Sequence, residues 1–209
     1  MTPLDSYKLL TFTVSTASAK SWHAAIVEMM ADEYWSFVER PLDLTRIYRD
    51  APTTGGNRLS KYVIWQTTMV NSTVFVSNDE CGWPMLTTHL SRVLPESFIA
   101  VRIANDLKSY PVCSMYYLQN GKEKRCLQAL KDRGWQFHQS GDVLPIEDPS
   151  NYSRKPVSAR FTKEICIGYL EKLGFAVSNP SFWTSNGRAF YGNRLSWDIK
   201  PQNEVCDLP

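Results

Sequence analysis

Between Pro111 and Phe161 the chain alternates apolar and polar residues in short runs that are separated by turn residues. Asn120-Gly121 lies between two such runs, and Asn-Gly is a strong hairpin signal because both of its positions tolerate positive φ angles. A second turn at Asp132-Arg133-Gly134 leads into Trp135–Gln139, where the aromatic residues face one side and the polar residues the other. Together with an alternating run just upstream, this pattern predicts an antiparallel β-meander over about residues 97–139.

Three segments carry helical periodicity or the signals that start and end a helix, at about residues 22–34, 83–93 and 163–173. Ser18 or Ser21 can cap the first helix. Pro84 suits the first turn of the second helix, because the donor that proline lacks would be unpaired there anyway. The third helix has the clearest ends, with Thr162 as its N-cap and Gly174 as the residue after its C-cap.

The remaining parts of the chain carry fewer signals. Three further strands are predicted, at Tyr7–Ser15, Lys61–Thr68 and Thr73–Val76. The polar stretch Glu39–Arg58 contains prolines and a Gly-Gly pair, so it predicts a long connection. After the last helix, Phe182-Trp183 and Phe190-Tyr191 are interpreted as apolar anchors of an irregular segment that packs over the sheet.

These elements predict an α+β fold with a mostly antiparallel sheet and flanking helices. The 209 residues fit one domain, 1–209, and 43% hydrophobic residues are enough for a sizeable core. A division into an N-terminal strand-helix unit, residues 1–60, and a main sheet, residues 61–209, stays open.

Cysteine usage indicates a reducing compartment. The five cysteines are odd in number and form no Cys-x-x-Cys pair: Cys81, Cys113, Cys126, Cys166 and Cys206. Cys113 and Cys126 fall on the two arms of the predicted hairpin and are expected to be small buried residues. The first residues lack the basic and apolar parts of a signal peptide, and no run approaches the ~18 apolar residues of a membrane span. We therefore expect a cytoplasmic protein that does not contact a membrane.

Neither a metal site nor a cofactor site is predicted. The three histidines, His23, His89 and His138, have no cysteine or carboxylate at ligand spacing beside them. Gly55-Gly56 is not followed by Gly-Lys-Ser/Thr or by a helix, so neither a phosphate loop nor a dinucleotide fingerprint is present.

Two arrangements would suit an enzyme. Cys81 precedes a predicted helix N-terminus, whose dipole favours a thiolate, and His138 or His89 would be its base. Alternatively, the paired carboxylates Glu147-Asp148 would transfer protons together with His138, Arg154 and Arg160. The competing interpretation of the second group is structural: Glu147 pairs with Arg154 or Arg160 and fixes a long loop onto the sheet.

A third alternative is a nucleic-acid-associated module that uses the basic region 151–200. Basic and aromatic residues are interleaved there, a mixture that neutralises phosphates and stacks on bases: Tyr152, Arg154, Lys155, Arg160, Phe161, Lys163, Trp183, Arg188, Tyr191 and Arg194. However, the net charge of the chain is only +2, and no RNP, KH or zinc-finger signature is present.

The segment from Trp83 to Phe175 resembles small α+β immunity proteins that bacteria encode beside polymorphic or contact-dependent toxins. The likeness rests on the following residues: Trp135-x-Phe137, Gly141-x-x-Leu144-Pro145-x-Glu147, Tyr152-x-Arg154, Arg160 and Tyr169-Leu170-x-x-Leu173-Gly174. The resemblance implies a protein that binds a cognate toxin, usually over its active site, and does no chemistry. Many such proteins are acidic because their nuclease toxins are basic, so the net charge of +2 argues against a nuclease as the partner.

The aromatic content also favours a binding protein. Seven tryptophans and ten tyrosines exceed what the core obviously requires, and aromatic residues with arginine are the usual anchors of protein interfaces. We therefore predict a non-enzymatic protein that binds a protein partner. Its predicted contact residues are Trp135, His138, Glu147, Tyr152, Arg154 and Arg160.

Overall fold

A nine-stranded antiparallel sheet dominates the computed structural model, which describes residues 2–30, 34–48, 59–69 and 72–195. The strands are β1 (Leu9–Ser15), β2 (Trp35–Arg40), β3 (Lys61–Gln66), β4 (Thr73–Ser77), β5 (Phe98–Ala104), β6 (Val112–Gln119), β7 (Lys122–Lys131), β8 (Trp135–Gly141) and β9 (Ala189–Arg194). Their order across the sheet is β2-β9-β3-β4-β1-β5-β6-β7-β8. The predicted α+β fold and its β-meander are thereby confirmed, since β5 to β8 pair consecutively.

Helical segments lie on both sides of the sheet. The α-helices are α1 (Pro3–Ser6), α2 (Ala19–Met29), α3 (Thr45–Tyr48), α4 (Pro84–Val93) and α5 (Lys163–Lys172). Short 3₁₀-helices occur at Pro149–Ser153, Val157–Ala159 and Pro180–Trp183.

The two faces of the sheet carry separate cores. One face, here called the helix face, packs under α2 and α4, with Trp22 and Phe98 in ring contact at 4.8 Å between centroids. The opposite face, here called the C-terminal face, packs under α5 and the segments around it, with Phe12 and Trp183 in contact at 5.3 Å. Each fully buried large apolar side chain contributes about 1.5–3 kcal/mol relative to an exposed one.

Local signals placed the predicted turn and helix ends well. Asn120 and Gly121 have φ angles of 54° and 69°, as the Asn-Gly turn requires. Ser18 caps α2 by accepting from the Ser21 backbone N–H at 3.1 Å, so this helix begins at residue 19 rather than 22. Thr162 caps α5, and Gly174 follows it at a φ angle of 92°.

Two strands, β2 and β9, were not predicted. β2 overlaps the start of the stretch assigned to a long connection, and β9 contains the residues interpreted as apolar anchors. They pair with each other, with Phe37 opposite Gly192, and β9 then pairs with β3. A pairing between residues this far apart in the chain leaves no local periodicity to detect. The part of the predicted connection at residues 49–58 lies outside the described residues.

The N-terminal strand occupies the middle of the sheet. β1 pairs with β4 on one side and with β5 on the other. Residues 1–60 and 61–209, the possible division that the sequence leaves open, therefore contribute strands to the same sheet.

Gly192 offers a test of the packing between β9 and β3. A Cβ atom added there would lie 2.1 Å from Cε1 of the fully buried Tyr62 ring, which itself packs against Phe75 and Trp83. We expect Gly192→Ala to lower the free energy of unfolding by about 1–3 kcal/mol or more, measured by urea denaturation. Gly187→Ala is the control, because nothing lies within 4 Å of its added Cβ. Equal midpoints for the two variants would contradict this packing.

Candidate functional site

The predicted contact region is organised around an ion pair between Arg125 on β7 and Glu147 in the segment that follows β8. Arg125 Nε lies 2.9 Å from Glu147 Oε1, and Arg125 Nη2 lies 2.7 Å from Glu147 Oε2. The two side chains are only 2% and 0% exposed. The contact is therefore a buried, bidentate pair, the geometry in which arginine binds a carboxylate most strongly.

All five N–H donors of Arg125 are used. Besides the two bonds to Glu147, Nη1 donates to the carbonyl oxygens of Ser140 at 3.2 Å and Gly141 at 3.0 Å, and Nη2 donates to Gln139 Oε1 at 2.9 Å. A buried guanidinium loses its hydration, and only a complete set of hydrogen bonds compensates for that loss.

Glu147 is equally saturated. Its Oε1 also accepts from the Leu144 backbone N–H at 3.0 Å, and its Oε2 accepts from the Tyr152 hydroxyl at 2.5 Å. Burial alone would raise the pKa of the Glu147 carboxyl, but the hydrogen bonds from Arg125, Tyr152 and Leu144 outweigh it and hold the pKa below its usual value. The carboxyl group is therefore ionised at neutral pH.

Gly141 lets the chain leave β8 and return to this pair. Its φ angle is +78°, and an added Cβ would lie 1.9 Å from the Lys124 carbonyl oxygen. Only glycine is compatible with both the conformation and the close approach. The chain turns here and brings Leu144–Glu147 back over the C-terminal face.

Tyr152 and Tyr169 extend the network to α5. The Tyr152 ring stacks on Phe137 at 5.3 Å, and its hydroxyl lies 3.3 Å from that of Tyr169. Tyr169 accepts from the Asp148 backbone N–H at 3.0 Å. Burial and the hydrogen bond to the Glu147 carboxylate raise the pKa of the Tyr152 phenol, so this hydroxyl remains a donor.

Two of the predicted contact residues, Glu147 and Tyr152, belong to this network, and their side chains are buried. The structural interpretation of Glu147 named the wrong arginines: its partner is Arg125, whereas Arg160 Nε donates to the Arg154 carbonyl at 3.1 Å and the Arg154 side chain is exposed.

His138 and Trp135 lie on β8, but the structure does not bring His138 to Glu147. Phe137 and Gln139 point to the C-terminal face, where they contact Tyr152 and Arg125, so His138 between them points to the helix face. His138 is exposed, and Trp135 is half-buried against the core of the C-terminal face. The proposed proton-transfer group is therefore split between the two faces of the sheet.

The cysteine alternative also lacks its partner. Cys81 is exposed in the turn before α4, and its backbone N–H donates to Asp79 Oδ1 at 2.6 Å. Within the described residues no hydrogen bond or ion pair joins it to a histidine. Cys113 and Cys126 are buried free thiols, as predicted, and they face opposite sides of the sheet. Cys206 lies outside the described residues.

The aromatic residues of the nucleic-acid alternative belong to the core. Tyr152, Phe161, Trp183 and Tyr191 are all at most 8% exposed, so they offer no platform for stacking bases. Lys163, one of the basic residues, donates to Asp5, Asn105 and the Leu4 carbonyl and ties α5 to the N-terminal segment. Residues 196–200 of the basic region lie outside the described residues.

Arg125 was missed because its neighbours suggested an ordinary charged strand end. Lys122–Lys124 precede it, and such runs usually face solvent. The signal that was present is its register: Arg125 shares strand parity with Leu127 and Ala129, both of which are fully buried. An arginine in phase with core positions indicates a buried cation with a carboxylate partner.

The described residues contain no group of three or more His, Cys, Asp or Glu side chains able to hold a metal ion. Among the helices of those residues, none has the length and apolar character needed to cross a membrane. Comparisons with protein-family models, with curated proteins and with solved structures found no match.

Removing the charge of Glu147 tests the ion pair. Glu147→Gln leaves the Arg125 guanidinium buried without a counter-charge, and we expect the free energy of unfolding to fall by about 3–5 kcal/mol. Glu171→Gln on the exposed side of α5 is the matched control, expected to change it by less than about 0.5 kcal/mol. Similar small effects in both variants would show that Arg125 and Glu147 contribute little to stability.

The effect of Glu147→Gln on the free energy of unfolding should also depend on pH. Because folding lowers the pKa of Glu147, its contribution to stability is complete above the unfolded pKa of about 4.3 and is lost as the pH falls through the folded pKa. We expect the stability difference between the wild type and Glu147→Gln to shrink as the pH is lowered from about 6 to about 3. Denaturant titrations at each pH measure it, and a constant difference would contradict the assignment.

Proposed function

We propose that this protein is a non-enzymatic binding protein whose partner, another protein, adds a strand to the outer edge of β8. The observation that carries the proposal is the state of that edge. β8 is the last strand of the sheet, and among the described residues its backbone hydrogen-bonds to no element other than β7. An exposed strand edge is a template for β-strand addition by a partner chain.

The composition of β8 supports this role. Proteins normally protect a sheet edge with charges, prolines or very short strands. β8 is seven residues long and contains neither a charged residue nor a proline. β2, the opposite edge strand, contains Glu39 and Arg40, and Arg188 donates to the Glu39 carbonyl. Of the two edge strands that the structure describes, β8 alone combines length, neutrality and an unpaired edge.

The buried network gives this edge a rigid base. β8 pairs with β7 along the whole length of β8, from Trp135 opposite Lys131 to Gly141 opposite Arg125. Arg125 then holds the carbonyl groups of Ser140 and Gly141, so the end of the strand does not fray. A preorganised strand loses less conformational entropy when it binds.

Exposed side chains flank the edge and would give the interaction its specificity. Gln136 and His138 lie on the helix-face side of β8, and Trp135 is accessible in part. Arg154 is exposed in the segment that continues into Val157–Ala159, which packs beside β8. Backbone pairing with alternate side-chain contacts is the usual division of labour in strand addition.

Toxin neutralisation is the form of binding that this proposal favours. It rests on the resemblance of Trp83–Phe175 to bacterial immunity proteins, which block a toxin and carry out no reaction. The separation of His138 from Glu147 is consistent with a protein that needs no catalytic group. The net charge of +2 favours a toxin that is not a basic nuclease.

Proline substitutions on β8 test the proposed edge. In an antiparallel edge strand, successive N–H groups point alternately to the neighbouring strand and outward. Of His138→Pro and Gln139→Pro, one therefore removes an outward N–H and the other breaks the β7–β8 ladder, and urea denaturation distinguishes them. Tagged wild-type protein and variants are used to capture partners from native lysate, followed by mass spectrometry. We expect the outward proline variant to remain folded and to lose a stoichiometric protein that the wild type retains.

The alanine variants at the same two positions are the controls, because they remove the side chain and keep the N–H. Capture by the alanine variant together with loss in the outward proline variant assigns binding to the strand backbone. Two results would overturn the proposal: no stoichiometric protein bound to the wild type, or equal capture by the folded proline variant.

A further inference from the structure

A row of polar side chains crosses the meander on the helix face, next to the area that α2 and α4 cover. Arg102 on β5 stands opposite Ser114 on β6, Ser114 opposite Gln128 on β7, and Gln128 opposite His138 on β8. Ser114 is 0% exposed, Arg102 and Gln128 are half-buried, and His138 is exposed. The row is thus enclosed at Ser114 and open to solvent at the edge strand.

Tyr116 on β6 lies beside this row of side chains. Its hydroxyl accepts a hydrogen bond from Gln128 Nε2 at 3.0 Å. Burial raises the pKa of the Tyr116 phenol, and Ser114, two residues earlier on β6, stands on the same face of the sheet. Arg102, Ser114, Tyr116 and Gln128 therefore form one cluster.

Two groups of this cluster are enclosed without a hydrogen-bond partner of good geometry, Arg102 Nε and Ser114 Oγ. No hydrogen bond or ion pair joins the Arg102 side chain to any residue that the structure describes. Glu123 is the single acidic residue in β5 to β8, and it accepts from the Ser140 hydroxyl at 3.0 Å. No carboxylate within β5 to β8 therefore forms an ion pair with Arg102.

Arg125 is a structural arginine for comparison, because it stabilises the fold and has all of its hydrogen-bond donors paired. Every N–H of Arg125 is bonded, and its carboxylate partner is buried with it. Leaving a buried donor or acceptor unbonded costs about 1–3 kcal/mol, so unused groups in native proteins require an explanation. Here the unused groups belong to an arginine and a serine hydroxyl, both of which donate hydrogen bonds to oxyanions.

We propose that Arg102, Ser114, Tyr116 and Gln128 form a binding site for an oxyanion, a carboxylate or phosphate group. The planar guanidinium of Arg102 presents parallel N–H groups to two oxygens of the anion. The Ser114 hydroxyl donates to the anion from the buried side of the site. The Tyr116 hydroxyl, which accepts from Gln128, has its own proton free to donate.

The site does not depend on the proposed function, because a free small molecule or an acidic side chain of a protein can supply the oxyanion. Its place next to β8 nevertheless suits a partner strand that carries Asp or Glu. A free small anion and an acidic side chain of a partner can be distinguished by which probe saturates the site. A small anion binds by itself, whereas a side chain of a partner needs the neighbouring peptide for affinity.

Nuclear magnetic resonance titration tests the site directly. ¹⁵N-labelled full-length protein is titrated with sodium acetate, sodium phosphate and the peptide acetyl-(Glu)₆-amide, each at constant ionic strength maintained with sodium chloride. We expect saturable shifts of the Arg102 side-chain Nε–H and the Ser114 amide. Saturation with acetate or phosphate identifies a site for a free anion, and saturation with the peptide alone identifies a site for acidic side chains.

Two variants and a control complete the experiment. Arg102→Met keeps the length of the side chain and removes its charge, and we expect affinity to fall about tenfold or more. Arg133→Met, in the exposed β7–β8 turn, removes the same charge elsewhere and should bind as the wild type does. Ser114→Ala keeps the core filled, so we expect it to fold and to bind the anion more weakly, which preserves the test if Arg102→Met is unstable.

The proposal fails if none of the three probes produces saturable shifts in β5 to β8. It also fails if shifts persist unchanged in Arg102→Met or Ser114→Ala, or if they follow ionic strength in a sodium chloride titration. None of these results depends on whether β8 pairs with a partner, so failure of the site and failure of the proposed function are distinguishable.

Discussion

The buried ion pair between Arg125 and Glu147 is the constraint on which the region around β8 depends. Two charges removed from water are destabilising unless every donor and acceptor is satisfied, and here each one is. The requirement explains the neighbouring residues: Gly141 because the chain must pass close to the Lys124 carbonyl, and Tyr152 because Glu147 has a remaining lone pair. Through Tyr169 the network also positions α5. One charged pair thus orders the strand end, the return loop and the covering helix.

The two faces of the sheet use arginine in different ways. On the C-terminal face, Arg125 is buried beneath the return loop, Leu144–Glu147, which supplies its carboxylate partner. On the helix face, Arg102 is half-buried on β5, and its enclosed Nε has no hydrogen-bond partner. The first arrangement contributes to the stability of the fold. The second leaves hydrogen-bonding capacity unused beside the polar row on the helix face.

The two edge strands of the sheet differ in whether they carry charged residues. β2 carries charges that discourage pairing with another chain, and β8 carries none. The unprotected edge borders the open part of the helix face, so the features that suit binding are concentrated on one end of the molecule. Binding there needs neither a deep cavity nor a reactive side chain. This concentration, rather than any motif, gives the functional proposal its physical basis.

The sequence by itself determined the features that short-range chemistry controls. The Asn120-Gly121 turn follows from the conformations that these two residues tolerate, and the ends of α5 follow from Thr162 and Gly174. The alternation within β8 also separates His138 from Phe137 in any strand. The tertiary structure decided which face the return loop covers, and therefore that Glu147 meets Arg125 and not His138. It also decided the pairing of β2 with β9, because contacts between distant segments depend on the packing of the whole chain rather than on local periodicity.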